Sequence, residues 1–197
     1  MELVLDLKKR YTYADYLTWM DNVRRELIEG FIKLMPAPRD IHVEVCYNIT
    51  GNLWSILKKN NGRCKVRPAP FDVRFPKNGE TANDKIYNVV QPDICVVCDP
   101  AKLDERGCIG APDLVVEVIS PSTGKRDLNE KYFLYEAAGV REYWVVYPED
   151  KAVTVFLLQD DGKFDDGTTY QLIDGKVQVP VHTLEGLMID LEEIFEK

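Results

Sequence analysis

Apolar positions recur along this chain with two different periods, and each change of period marks an element. From about Asp40 to Lys59 the period is helical. Val45, Cys46, Ile49, Leu53, Ile56 and Leu57 form one stripe, and Gly62 is placed to stop the helix. His42 lies in line with that stripe, one turn before Cys46. A second helical stretch covers 127–138. There Asp127-Leu-Asn-Glu130 resembles a capping box, and Gly139 stands where a helix-ending glycine belongs. Its inward face is Leu128, Tyr132, Leu134, Tyr135 and Ala138; Asn129, Glu130 and Glu136 lie outward, and Phe133 is exposed. Thr12 to Asn22 predicts a short amphipathic helix with Tyr13, Tyr16, Leu17 and Met20 on one side.

Elsewhere the period falls to two, or the pattern becomes continuously apolar. Arg25 to Met35 alternates around Gly30 and predicts a hairpin. Phe71–Phe75, Val89–Val97, Val140–Tyr147 and Val153–Gln159 predict strands, with a turn at Pro148-Glu-Asp150. Tyr170 to Val181 predicts short final strands, and Leu184 to Lys197 an acidic helical or irregular tail. Lys77–Asn88 and Cys98–Ala111 read as connections. The run Ala111-Pro-Asp-Leu-Val-Val-Glu-Val-Ile-Ser120 has no polar face, as expected of a strand buried on both sides. Helix 127–138 then serves as the crossover from this central strand to its neighbour. The order predicts an α/β fold, a mixed β-sheet flanked by helices, in a single domain over residues 1–197, because no repeat or long linker divides the chain.

Composition adds exclusions. No apolar run approaches the roughly 20 residues of a membrane span, and the first ten residues lack signal-peptide order. Five scattered cysteines suit a reducing cytoplasm. Cys95-x-x-Cys98 lacks a second ligand pair and falls within a strand, so both read as small core residues rather than half a zinc site. The net charge of −8 speaks against a broad phosphate-binding surface. Lys58 to Arg67 gathers five basic residues without an acid, which a solvated helix end and loop explains better than a phosphate track.

Glu117 changes the picture. An unpaired carboxylate in such a strand costs on the order of several kcal/mol, so it must be protonated, paired or bound to a metal. Lys131 falls near the centre of the inward face of helix 127–138, where snorkelling to water is hard. Asp93 can stand beside Glu117 if their two strands pair. Two acids and one base awkward alone make sense together, either as an internal salt-bridge cluster or as a site for Mg²⁺ or Mn²⁺. His42 reads either as a hydrogen-bonded core histidine or as an inward-facing site residue.

At these residues the chain resembles a known family. Pro92-Asp93 followed by Glu117-Val118-Ile119 is similar to the PD-(D/E)XK nuclease signature with its lysine replaced by Ile119. The wider pattern resembles the Uma-two family of "putative restriction endonucleases", in which a lysine on the following helix substitutes. The carriers are Glu26-Leu-Ile-Glu-Gly30, Pro36-x-Pro38 with His42, Pro70-Phe-Asp-Val-Arg74, Gln91-Pro-Asp93, Pro112 to Ser122, Asp127 with Lys131 and Tyr135, and Gly139 to Trp144. The resemblance implies a restriction-endonuclease-like core, with Asp93, Glu117 and the backbone carbonyl of Val118 as ligands of Mg²⁺ (or Mn²⁺). Lys131 would take the displaced lysine's role. Glu26 would complete the metal shell or fix Lys131, although pairing with Arg24 or Arg25 is the alternative. His42 would bind phosphate or support Glu26, and Gln91 would contact a ligand.

Asp113 reads as a turn cap, Tyr143-Trp144 as core, and Asp72 and Arg74 carry no assigned role. The expected activity is Mg²⁺-dependent hydrolysis of DNA phosphodiester bonds by a homodimer. A non-catalytic nuclease-fold homodimer and a hydrolase of small phosphorylated substrates are the alternatives.

Overall fold

The computed structural model describes residues 4–59, 63–119, 124–173 and 175–195, with only the backbone for 124–128. Within these the strands form two six-stranded mixed sheets and one two-stranded hairpin, where the sequence pattern suggested one sheet. In the first half of the chain come α1 (Tyr13–Tyr16), β1 (Arg25–Ile28), β2 (Phe31–Leu34), α2 (Asp40–Lys59), β3 (Lys65–Pro68), β4 (Asp72–Arg74), β5 (Val89–Val90) and β6 (Ile94–Val97). The second half carries β7 (Leu103–Asp104), β8 (Gly107–Ile109), β9 (Leu114–Val118), α3 (Gly124–Ala138), β10 (Glu142–Tyr147), β11 (Ala152–Leu157), β12 (Thr168–Gln171), β13 (Gln178–Val181), β14 (Leu187–Asp190) and α4 (Leu191–Phe195).

The larger core belongs to the sheet ordered β12-β11-β10-β9-β6-β3. All five residues of β9 are buried. Alternate residues split between two apolar clusters, as the pleat requires. Leu114, Val116 and Val118 join Val45, Ile49, Leu53 and Leu57 of α2 on one face. Val115, Tyr143 and Val145 join Tyr135 of α3 on the other. β9 and β10 run parallel, Leu114 beside Glu142 and Val118 beside Val146, and α3 makes the crossover between them. The second sheet, β2-β1-β5-β4-β8-β7, lies at the other end of the broken β5–β6 segment. Its β1–β2 hairpin turns at Glu29 and Gly30, both with positive φ. A side chain at Gly30 would stand 2.9 Å from the Tyr11 carbonyl oxygen.

Several expectations are corrected. Val89–Val97 is two strands in two sheets, because Pro92 has no N–H to donate and Gln91-Pro92-Asp93 turns the chain between them. The amphipathic stretch 12–22 shortens to the single turn of α1, capped by Thr12, and Met20 is 93% exposed. The connection 98–111 folds into the small hairpin β7–β8, and the tail contains β14 before α4.

Helix α3 begins at Gly124, so Asp127 lies inside the helix backbone rather than at its cap; the side chains of Asp127 and Leu128 lie outside the described residues, as does Gly62. Its end follows expectation: Gly139 N–H donates to Glu136 O and Val140 N–H to Tyr135 O, with Gly139 at φ 82°. Glu136 is buried, not outward, because the chain at Lys163 and Phe164 folds over it and both donate to its carboxylate.

Cys98 is not a free core residue, because it is bonded to Cys64. Lys65 pairs with Val97, so the next residues outward face each other, and they form a disulfide. Disulfides are rare in a reducing cytoplasm, which removes the main support for that compartment. Cys46, Cys95 and Cys108 are free. No helix among the described residues is long and apolar enough to cross a membrane.

Candidate active site

The antiparallel pairing of β6 with β9 sets the site. Ile94 lies beside Val116, so Asp93, one residue before, comes opposite Glu117. The Val118 N–H donates to Asp93 Oδ2 at 2.8 Å and fixes the plane of that carboxylate. Glu117 projects from β9 toward α3, on the face that holds Tyr135 and Tyr143. There Lys131 Nζ donates to Glu117 Oε1 at 2.9 Å and Tyr135 Oη–H to the same oxygen at 2.6 Å. Lys131 and Tyr135 are four residues apart, so α3 presents them on one face as neighbours.

The second carboxylate on Lys131 comes from the other sheet. Glu26, on β1, accepts from Lys131 Nζ at 2.9 Å and from the Gln91 N–H at 2.8 Å, both on Oε1. The side chains of Lys131, Glu26 and Glu117 are 12%, 5% and 9% exposed, so the ammonium is shared by two acids almost out of water. Among the described residues nothing donates to Oε2 of Glu117 or to Oε2 of Glu26.

The electrostatics follow from this packing. Burial pushes the Glu117 carboxyl up; Lys131 pulls it down, and Asp93 and Glu26 push it up again, to about 7. Burial alone would pull Lys131 down, but Glu117 and Glu26 more than offset it and hold the ammonium protonated well above its ordinary range. His42 is raised by its hydrogen bond to Asp93, against the effect of burial.

All six residues singled out from the sequence (Glu26, His42, Asp93, Glu117, Val118 and Lys131) line one cavity of about 440 Å³. Their partners differ in part from expectation. Glu26 pairs with Lys131, while Arg25 turns to Asp21 and Arg24 to Gln91. His42 Nε2 meets Asp93 Oδ1 at 3.1 Å rather than supporting Glu26. Gln91 is buried and its side chain is used internally, on Arg24, Tyr16 and Asp72. Asp113 ties Arg141 and the Cys98 N–H together as a structural cap. Arg74 is buried against Asp104, and Tyr143 and Trp144 are core.

One contributor escaped the sequence reading of roles, Tyr135. It sits four residues after Lys131 on the same helix face, and that spacing was the available signal.

The oxygen donors of Asp93 and Glu117, with the unengaged Oε2 of Glu117, suit a hard divalent cation such as Mg²⁺. The model of the Uma2 family, described as "Putative restriction endonuclease", matches residues 13–192. The chain belongs to this family. An uncharacterized protein of Synechocystis sp., slr1290, is 26% identical over 151 residues, 75% of this chain and 74% of that protein. The crystal structure of a "putative nuclease belonging to DUF820" from Anabaena variabilis superposes with a TM-score of 0.71 at 20% identity, over 93% of this chain and 97% of that one. At that identity the match establishes a shared nuclease-like fold. Uma2 membership agrees with the α/β architecture.

Proposed function

We propose that this Uma2 protein is a divalent-metal-dependent endonuclease that hydrolyses phosphodiester bonds of DNA. One observation carries the reading: Lys131, from α3, donates to both Glu117 and Glu26 at 2.9 Å and so brings an ammonium to the acid that lacks a lysine two residues on. Asp93, Glu117 and the Val118 carbonyl would hold Mg²⁺ or Mn²⁺. When bound, the cation supplies a water of lowered pKa and neutralises charge on the phosphoryl oxygens.

The chain's own residues do the rest. The Val118 N–H and His42 orient Asp93 from its two oxygens. Tyr135 and Lys131 occupy Oε1 of Glu117 and leave Oε2 for the cation. Glu26 positions Lys131, whose charge then stabilises the negative charge that builds up as the bond breaks. Arg24, Lys33 and Arg39 line the same cavity, Lys33 paired with Glu130 and Arg39 with Glu149, beside the acids Glu26, Asp93 and Glu117.

A non-catalytic role finds support in the same cluster, because Lys131 pairs with both Glu26 and Glu117 without any metal ion. Plasmid nicking decides between them. It is expected with Mg²⁺ or Mn²⁺ and should fall by at least about 100-fold in Asp93→Ala and in Glu117→Ala. Nicking that survives both substitutions, or none in the wild-type protein at any divalent cation, overturns the reading. A homodimer with the exposed Phe133 of α3 at its contact is the expected assembly, which a monomeric mass in solution would refute.

A further inference from the structure

We propose that His42, Cys46 and Asp93 form a binding site for a borderline-soft transition-metal cation, of which Zn²⁺ is the reference, on the α2 side of the cavity. His42 and Cys46 are four residues apart on α2, so the helix sets them one turn above each other on one face. Asp93 reaches the same point from the turn before β6, with Oδ1 at 3.1 Å from His42 Nε2. One ligand atom from each lies within 4.8 Å of both others. Around a tetrahedral zinc such atoms stand roughly 3.3–3.8 Å apart, given the ordinary Zn–N, Zn–O and Zn–S lengths. Closing the set therefore asks for only small side-chain movements.

The donor chemistry separates this site from the carboxylate pair. Nitrogen, sulfur and oxygen, one of each, match the preferences of Zn²⁺, whereas Mg²⁺ takes oxygen. Cys46 is free of any disulfide and makes no hydrogen bond to another described residue; it packs only at the margin of the α2-side core. It would bind as the thiolate, its proton passing to water. The support that metal sites require is in place on the acid: the Val118 N–H already fixes Asp93 through Oδ2, leaving Oδ1 directed at His42. Water or a substrate oxygen would complete the fourth position. On the proposed nuclease reading, and only there, this cation competes with Mg²⁺ for Asp93.

Cobalt titration of the full-length, tag-free protein tests the site without any assay of cutting. One equivalent of Co²⁺ should produce the near-ultraviolet thiolate-to-cobalt charge-transfer band, and Zn²⁺ should abolish it. Cys46→Ala should remove the band, and His42→Ala should weaken binding at least about tenfold. Glu117→Gln should leave both intact. Cys46→Ser, close in size, guards against a packing defect in the alanine variant. Absence of the band in the wild-type protein overturns the proposal. So does its survival in the folded Cys46 variants, or its loss in Glu117→Gln. None of these outcomes touches the nicking results, so the two readings fail separately.

Discussion

Neighbouring strands β9 and β10 each bury a glutamate, and the two acids are treated in opposite ways. Glu142, at the start of β10, is fully buried, and both its oxygens are occupied. Trp144 Nε1 and the His182 N–H donate to Oε1, and the Thr183 N–H donates to Oε2 at 2.7 Å. Backbone and indole N–H groups solvate this carboxylate as water would. Glu117, toward the end of β9, has both its donors on a single oxygen, one a lysine shared with another acid, and it borders a cavity. Burial alone therefore does not mark a functional acid. Unused coordination capacity beside open volume is what sets Glu117 apart from Glu142.

The difference can be broken by removing each acid's partner. Lys131→Met leaves Glu117 and Glu26 buried without a cation, and the expected loss at pH 8 is about 3–5 kcal/mol in urea unfolding. That loss should shrink at pH 5, where the stranded carboxylates take up protons. A loss that does not depend on pH would mean that the lysine acts only by packing.

Glu142→Gln should cost less, about 1.5–3 kcal/mol, because it strands no charge and loses only the hydrogen bonds on the side where its NH2 faces an N–H donor. Nicking per folded molecule should stay at the wild-type level. A fall in nicking without a fall in stability would erase the contrast between the two acids.

The smallest effect is the pH dependence that Glu117 imposes on the metal-free protein. Its folded pKa, about 7, lies above the ordinary value of 4.5, so the folded state holds the proton more tightly than the unfolded one. The stabilisation is complete below about pH 4.5 and is lost as pH rises through 7. His42, also raised, acts in the same direction. Comparing urea midpoints at pH 5 and pH 8 in the wild-type protein and in Glu117→Gln isolates the glutamate's share, which should vanish in the variant. An unchanged slope would place the titration elsewhere.

Much of the fold was legible because its signals are local. The α2 stripe, the Gly30 hairpin, the apolar run of β9 and the β9–α3–β10 crossover each follow from periodicity and turn chemistry within a few residues. The break at Pro92, the β7–β8 hairpin and the burial of Glu136 were not, since each depends on which distant segment covers the element. The pairing of Glu117 with Lys131 was inferred from discomfort: a glutamate in an apolar strand and a lysine amid an apolar face cannot be left unpaired. Tyr135 gave no such warning, because a tyrosine on an inward face is ordinary core.

By itself the sequence determined which residues had to be buried and which charges would then need company, because period and desolvation cost are properties of short segments. Only the tertiary structure decided the company. It gave Lys131 to Glu26 rather than leaving Glu26 to the hairpin arginines, turned His42 to Asp93, and joined Cys64 to Cys98. Those choices depend on strand register and on how two sheets meet, and contacts between residues far apart in the chain leave no periodic trace along it.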